Sequence, residues 1–103
     1  MRQVRIAASA HAFFQSMLEH GAEKFGIPVA QEKERIVHDT LHGTVAEHPH
    51  RGRHDERLSL YTYHVGTTPF VLVYEFDEAE VRVLFIVHER ADRRRLHRRD
   101  VSW

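Results

Sequence analysis

Cysteine is absent from the 103-residue chain, so disulfides, thiolate catalysis and cysteine-based zinc sites are excluded. That absence also suits a reducing cytoplasm, the compartment expected here. Long apolar runs are missing too. The longest are five residues, Phe70–Tyr74 and Val83–Val87, against the roughly 20 that a membrane helix needs, so no membrane span is expected. The opening residues Met1-Arg2-Gln3-Val4-Arg5-Ile6 read as a strand, not as a secretion signal. There is no glycine-rich phosphate loop, and Ser9, Ser16 and Ser59 lack the flanking glycines of a hydrolase elbow. Glu19, Glu23, Glu32 and Glu34 are spaced as solvated helix faces, and no carboxylate pair stands out for acid–base work. No cofactor is expected.

Net charge is also missing: 15 Lys and Arg balance 15 Asp and Glu. The balance conceals an uneven distribution. Residues 75–80 hold Glu75, Asp77, Glu78 and Glu80. Residues 88–103 hold six arginines against Glu89, Asp92 and Asp100, a local net charge of six minus three, or +3. A basic end on a neutral protein suits an anionic or acidic partner; the competing explanation is a solvated, frayed tail. Hydrophobic content of 42% and a length of 103 residues support one globular domain, residues 1–103, with one modest core.

The hydrophobic pattern orders the chain. Gln3–Ala7 reads as a strand. Ser9 is a good N-cap for a helix over Ala10–Phe25, with Ala10, Phe13, Phe14, Met17, Leu18, Gly21 and Phe25 on one wide apolar stripe. Gly26 fits a left-handed cap, and Pro28 suits the first turn of a second helix that runs to about Glu47. Its apolar face carries Ala30, Ile36, Val37, Thr40, Leu41 and Val45. The two-residue linker predicts an antiparallel helix hairpin. His48–His54 reads as a loop by its Pro and Gly, and Arg57–Val65 as a strand. Gly66-Thr67-Thr68-Pro69 turns the chain into a final β-hairpin. In it Phe70, Leu72, Tyr74 and Phe76 alternate with Val71, Val73 and Glu75, and Val81, Val83, Phe85 and Val87 with Arg82, Leu84, Ile86 and His88. The order β-α-α-β-β-β predicts an α+β domain, a helical hairpin packed on a small, mainly antiparallel sheet.

Ten histidines call for a metal check. His38 and His42 stand at i and i+4, as in zinc-binding helices, with Asp39 where a catalytic glutamate would stand. The pair faces away from the apolar stripe, and although His48, His50 or His54 might supply a third ligand, a sheltered pocket is lacking. No functional metal site is expected; adventitious surface metal is the alternative. Tyr61 and Tyr63 share one strand face, which suits cross-strand packing more than base stacking. Arg51, Arg53 and Arg57 are candidates to contact nucleic acid or an acidic partner, against the commoner reading of solvated loop arginines.

The final hairpin followed by His88-Glu89-Arg90-Ala91-Asp92-Arg93 resembles the C-terminal signature of the RelE/ParE toxin superfamily, the toxic halves of bacterial type II toxin–antitoxin, or plasmid stabilisation, pairs. The helix pair, the His48-Pro49 and Gly52-Arg53 loop, the Phe70–Tyr74 strand and the Val83–Arg90 block follow in the order that the superfamily would give. The resemblance implies one of two activities: ParE-like poisoning of DNA gyrase, or RelE-like ribosome-dependent cleavage of mRNA. RelE-like chains carry an arginine where this one has Val71, and a tyrosine where it has Leu96; only Arg90 of that set carries over. The ParE branch is therefore favoured, without enzymatic activity. If the chain is a ribonuclease, His88 and Arg90 are its catalytic candidates, and a degenerate member that only binds a partner is the third alternative. Target contacts are expected at Arg90, Arg93, Arg94 and Arg95. The resemblance also implies a cognate antitoxin, expected on the hairpin at Phe14, Leu18, Val37 and Leu41, and leaves a dimer or a heterotetramer with that antitoxin open.

Overall fold

The computed structural model describes residues 2–103. Strand β1 (Gln3–Ile6) leads into helix α1 (Ala8–Phe25), which turns back through Gly26 into helix α2 (Ile27–Thr40). Gly26 adopts φ 96°, a conformation that costs a side-chain-bearing residue strain, and Pro28 sits in the first turn of α2. The helical run continues past Thr40 through one π-turn, Leu41–Val45. Four further strands follow: β2 (Arg53–Asp55), β3 (Leu60–His64), β4 (Phe70–Phe76) and β5 (Glu80–His88). The sheet order is β1-β5-β4-β3-β2, antiparallel except where β1 pairs with β5 in parallel. The helix hairpin lies on one sheet face, as the α+β pattern predicts.

That inner face carries the larger core. Ala10, Phe14 and Leu18 of α1 recur at helical spacing and are buried against Phe70, Leu72, Tyr74, Val81 and Val83, together with Val37, Leu41 and Val45 from the second helix. The Phe14 ring meets the Phe70 ring edge-on with centroids 5.0 Å apart. Tyr74 is fully buried, and its hydroxyl donates to the Pro49 carbonyl. Burial pushes the phenol up to about 12. Gly52 lies close beneath that ring. An added Cβ would collide with the Tyr74 hydroxyl and reach 3.0 Å from the Thr62 carbonyl.

The sheet is buried on its outer face as well, by the end of the chain. Leu58, Leu60, Val71, Val73, Leu84 and Val87 form a second cluster, covered by Phe85, Leu96 and Val101. Residues 89–103 are therefore not a frayed tail. They run back across the sheet through two 3-10 turns, Arg93–Arg95 and Arg98–Asp100. Arg98 pins them, its guanidinium donating to the carbonyls of Leu58 and Ser59 (both 3.2 Å) and to Glu75 (2.8 Å). Arg57 donates to the carbonyls of Arg93 and Leu96. Ser9, expected to cap α1, instead anchors this strap: its N–H donates to the Ser102 carbonyl (3.0 Å), and its Oγ accepts from the Ser102 N–H (2.9 Å). The helix accordingly starts earlier, at Ala8.

Three other expectations change. The segment His48–His54 is not all loop: Arg53–Asp55 pairs with β3 as a short edge strand, making five strands where the pattern predicts four. Arg53 and His54 are exposed, so no apolar alternation marks them. Strand β3 is shorter than Arg57–Val65, because Asp55 accepts the Leu58 N–H (3.2 Å) and Ser59 takes φ 54° in the turn before it. Strand β5 does not alternate throughout. Val73 pairs with Phe85 but Tyr74 with Val83, so Leu84 is an extra residue. The bulge moves Ile86 to the inner face and Val87 to the outer one.

Candidate functional site

The two ends of the β4–β5 hairpin differ in charge. At the turn, Asp77 Oδ1 accepts the N–H groups of Ala79 (2.8 Å) and Glu80 (2.9 Å). Arg82 projects from β5 and meets Glu75 (2.9 Å), Asp77 (2.8 Å) and Glu80 (2.9 Å) at once. The Arg82 hydrogen bond holds Asp77 well below its ordinary 3.8, at about 2. Burial alone would raise Glu75, but hydrogen bonds from Arg98 and Arg82 outweigh it and keep the carboxylate low. Three of the four carboxylates of the acidic run, Glu75, Asp77 and Glu80, are thus paired within the fold.

The open end is basic and mostly unpaired. His88 ends β5, and its Nδ1 accepts the Arg90 N–H (3.1 Å), which fixes the turn that releases the chain from the sheet. Glu89 turns aside to His64 (2.9 Å). Arg90 and Arg95 are exposed and Arg93 half-buried; among the described residues none of the three has a carboxylate within salt-bridge distance. Arg94 differs, because Asp92 clamps its guanidinium at 3.0 and 3.2 Å. The four predicted target arginines thus share one short segment, with three of their charges available.

An apolar cleft of about 470 Å³ opens next to this segment, where the free end of the helix hairpin overhangs the sheet. Met17, Phe25, Val29 and Phe70 line it, and Lys24, Lys33 and His88 stand at its margin. The four residues expected to meet an antitoxin lie beneath this hairpin, inside the fold. Phe14, Leu18, Val37 and Leu41 have 6%, 7%, 2% and 1% of their surface exposed, because they form the seam between hairpin and sheet. The large apolar side chains that the helix hairpin leaves open are Phe13, Phe25, Ile27 and Val29, at 54%, 65%, 64% and 42%. Phe13 and Phe25 belong to the predicted stripe of α1, whereas Ile27 and Val29 fall outside both stripes, and helical periodicity alone does not say which margin the sheet leaves uncovered.

His38 and His42 sit side by side with ring centroids 4.3 Å apart. Burial and the neighbouring His38 both lower the His42 pKa. Among the described residues no group of three or more His, Asp or Glu side chains is placed to hold a metal. Val71 and Leu96, the positions where RelE-like chains carry arginine and tyrosine, both pack in the outer core. No described helix is long and apolar enough to cross a membrane.

A helix hairpin packed on one face of a mixed five-stranded sheet, with a basic segment after the last strand, defines an α+β class of small domain. The family model "ParE toxin of type II toxin-antitoxin system, parDE" matches residues 4–93, and the chain belongs to that family. Among solved structures it is similar to a chain of the "Chromosomal ParDE TA system from P. aeruginosa", with a TM-score of 0.75 and 17% identity over 85% of this chain and 96% of that one. No curated protein matches.

Proposed function

We propose that this ParE-family toxin arrests bacterial growth by poisoning DNA gyrase, that it binds its target through Arg90, Arg93 and Arg95, and that a cognate antitoxin neutralises it. The observation that carries this is the charge left over at the open end of the β4–β5 hairpin. The fold pairs Glu75, Asp77 and Glu80 at the turn with Arg82 and Arg98 but leaves these three arginines without a carboxylate among the described residues. A cluster that contributes little to stability and stands on a fixed strand end is suited to an acidic or phosphate-bearing partner. Arg94, tied to Asp92, has the lesser role.

Phosphodiester cleavage by a RelE-like route needs several groups acting on one phosphate. Here His88 Nδ1 is occupied by the Arg90 N–H, and the side chains at 71 and 96 are apolar and packed in the core. This favours a binding poison over a ribonuclease. The exposed apolar surface at Phe25, Ile27 and Val29, beside lysines and the arginine segment, supports an acidic, partly apolar antitoxin that covers both together. Expression of the chain alone in bacteria tests the proposal. Growth should stop with filamentation and DNA-damage signalling. Rapid loss of mRNA without DNA damage would transfer the reading to the ribonuclease, and normal growth with abundant folded protein would leave only a binding module.

A further inference from the structure

Helix α2 passes into its π-turn between two histidines, His38 and His42. The Ala46 N–H donates to the Leu41 carbonyl, five residues back, so this turn is wider than an α-turn. A wider turn keeps residues four apart nearly in line. On the inside it holds Val37, Leu41 and Val45 in one buried row, at i, i+4 and i+8. A regular helix, at about 3.6 residues per turn, would rotate that row off the core. On the outside the same widening lines up His38 and His42. Their rings are 4.3 Å apart and tilted by 35°, and both side chains are exposed.

Two adjacent imidazoles supply half the ligands of a tetrahedral metal site. Neutral imidazole suits zinc and its borderline neighbours. Burial, and then the neighbouring His38, lowers the His42 pKa and so favours the neutral ring. His38 Nδ1 stands 3.8 Å from Asp39 Oδ1, which puts a carboxylate behind the ring and leaves Nε2 to coordinate. Asp39 is itself held by Arg35 (2.9 Å). A closed zinc site has four protein ligands, and one chain does not supply the other two. His11 and Glu34 line a small cleft beside His38, where Gln15 donates to Glu34 (3.0 Å). Among the described residues no third His, Asp or Glu side chain joins the pair.

We infer that His38 and His42 bind a zinc-class divalent cation shared with a second copy of the chain, whose own pair completes a four-histidine site. The copies meet through the outer face of α2, about a two-fold axis at the metal. Such a contact sets one patch against itself, so the patch must tolerate its own charges. This one carries both signs: Glu32 and Asp39 are each paired with Arg35 beside the histidines. Sharing the ion also supplies the shelter that a lone exposed pair lacks, because each copy covers the other's open side. The large exposed apolar residues of α2, Ile27 and Val29, lie at its far end. The ion, and not apolar burial, therefore holds the copies together. The site is separate from the arginine segment, and the inference does not rest on the toxin reading.

Sedimentation velocity of the tag-free chain, in zinc chloride or in EDTA, tests this. A dimer should form with zinc and revert with EDTA, and titration calorimetry should give one zinc for every two chains. Cobalt(II) in place of zinc should show the strong visible bands of tetrahedral coordination. His38→Ala and His42→Ala should each keep the Tm of the metal-free parent and weaken zinc binding about tenfold or more. His48→Ala and His50→Ala should leave binding and dimer unchanged. A chain that stays monomeric in zinc overturns the inference, and so does a stoichiometry of one zinc per chain. Zinc binding that survives in both His38→Ala and His42→Ala would mean an adventitious ion only, and overturns it as well.

Discussion

One β-hairpin carries both extremes of charge, and its two ends are built differently. At the turn, Glu75, Asp77 and Glu80 converge on Arg82, which is only 21% exposed, and Arg98 adds a second cation from the strap. At the open end, Arg90, Arg93 and Arg95 follow His88 without a carboxylate. The difference teaches that charge consumed inside the fold stabilises, whereas charge left over is available to a partner. Composition reports neither, since the two ends cancel in the net charge.

The largest stability effect is expected at the turn. Arg82→Ala strands three carboxylates and should cost about 2–3 kcal/mol, lowering Tm by on the order of 10 °C in thermal unfolding. An unchanged Tm would make the two ends equivalent and break the comparison. Arg98→Ala should cost less, about 1–2 kcal/mol, because its guanidinium is half exposed and part of its bonding passes to water. Its signature is local: amide exchange should rise over residues 96–103 while the helix hairpin stays protected.

A smaller effect follows from acid. Asp77 is held low in the folded state, so its contribution is full above the ordinary carboxylate value near 3.8 and is lost as pH falls toward about 2. Urea unfolding of Asp77→Asn should accordingly show a shallower fall in stability over that window than the parent chain. The smallest stability effect is expected for Arg90→Ala combined with Arg93→Ala, under about 1 kcal/mol, since solvated charges contribute little to folding. A large loss there would make those arginines structural.

Much of the fold was legible because burial leaves a period. The β4 alternation of Phe70, Leu72, Tyr74 and Phe76 against Val71 and Val73 matches its two buried faces, and Gly26 with Pro28 marks the hairpin reversal. Features held by backbone atoms left no period. The strap depends on the carbonyls of Leu58 and Ser59, and its apolar residues Leu96 and Val101 stand isolated among charges. Strand β2 is exposed and charged, and the bulge at Leu84 sits within an unbroken apolar run. The candidate site divides in the same way. Its arginines were readable from composition, whereas the exposure of Phe13 and Phe25 and the burial of Phe14 and Leu18 depend on where the sheet ends.

The central claim is that the charge left at the open end acts on gyrase. Purified gyrase and relaxed plasmid, incubated with the chain or with its Arg90→Ala/Arg93→Ala variant, test it directly. The parent chain should block supercoiling, and the folded variant, with its Tm nearly unchanged, should leave supercoiling intact. Supercoiling that proceeds unimpeded in the presence of the folded parent chain would contradict the account.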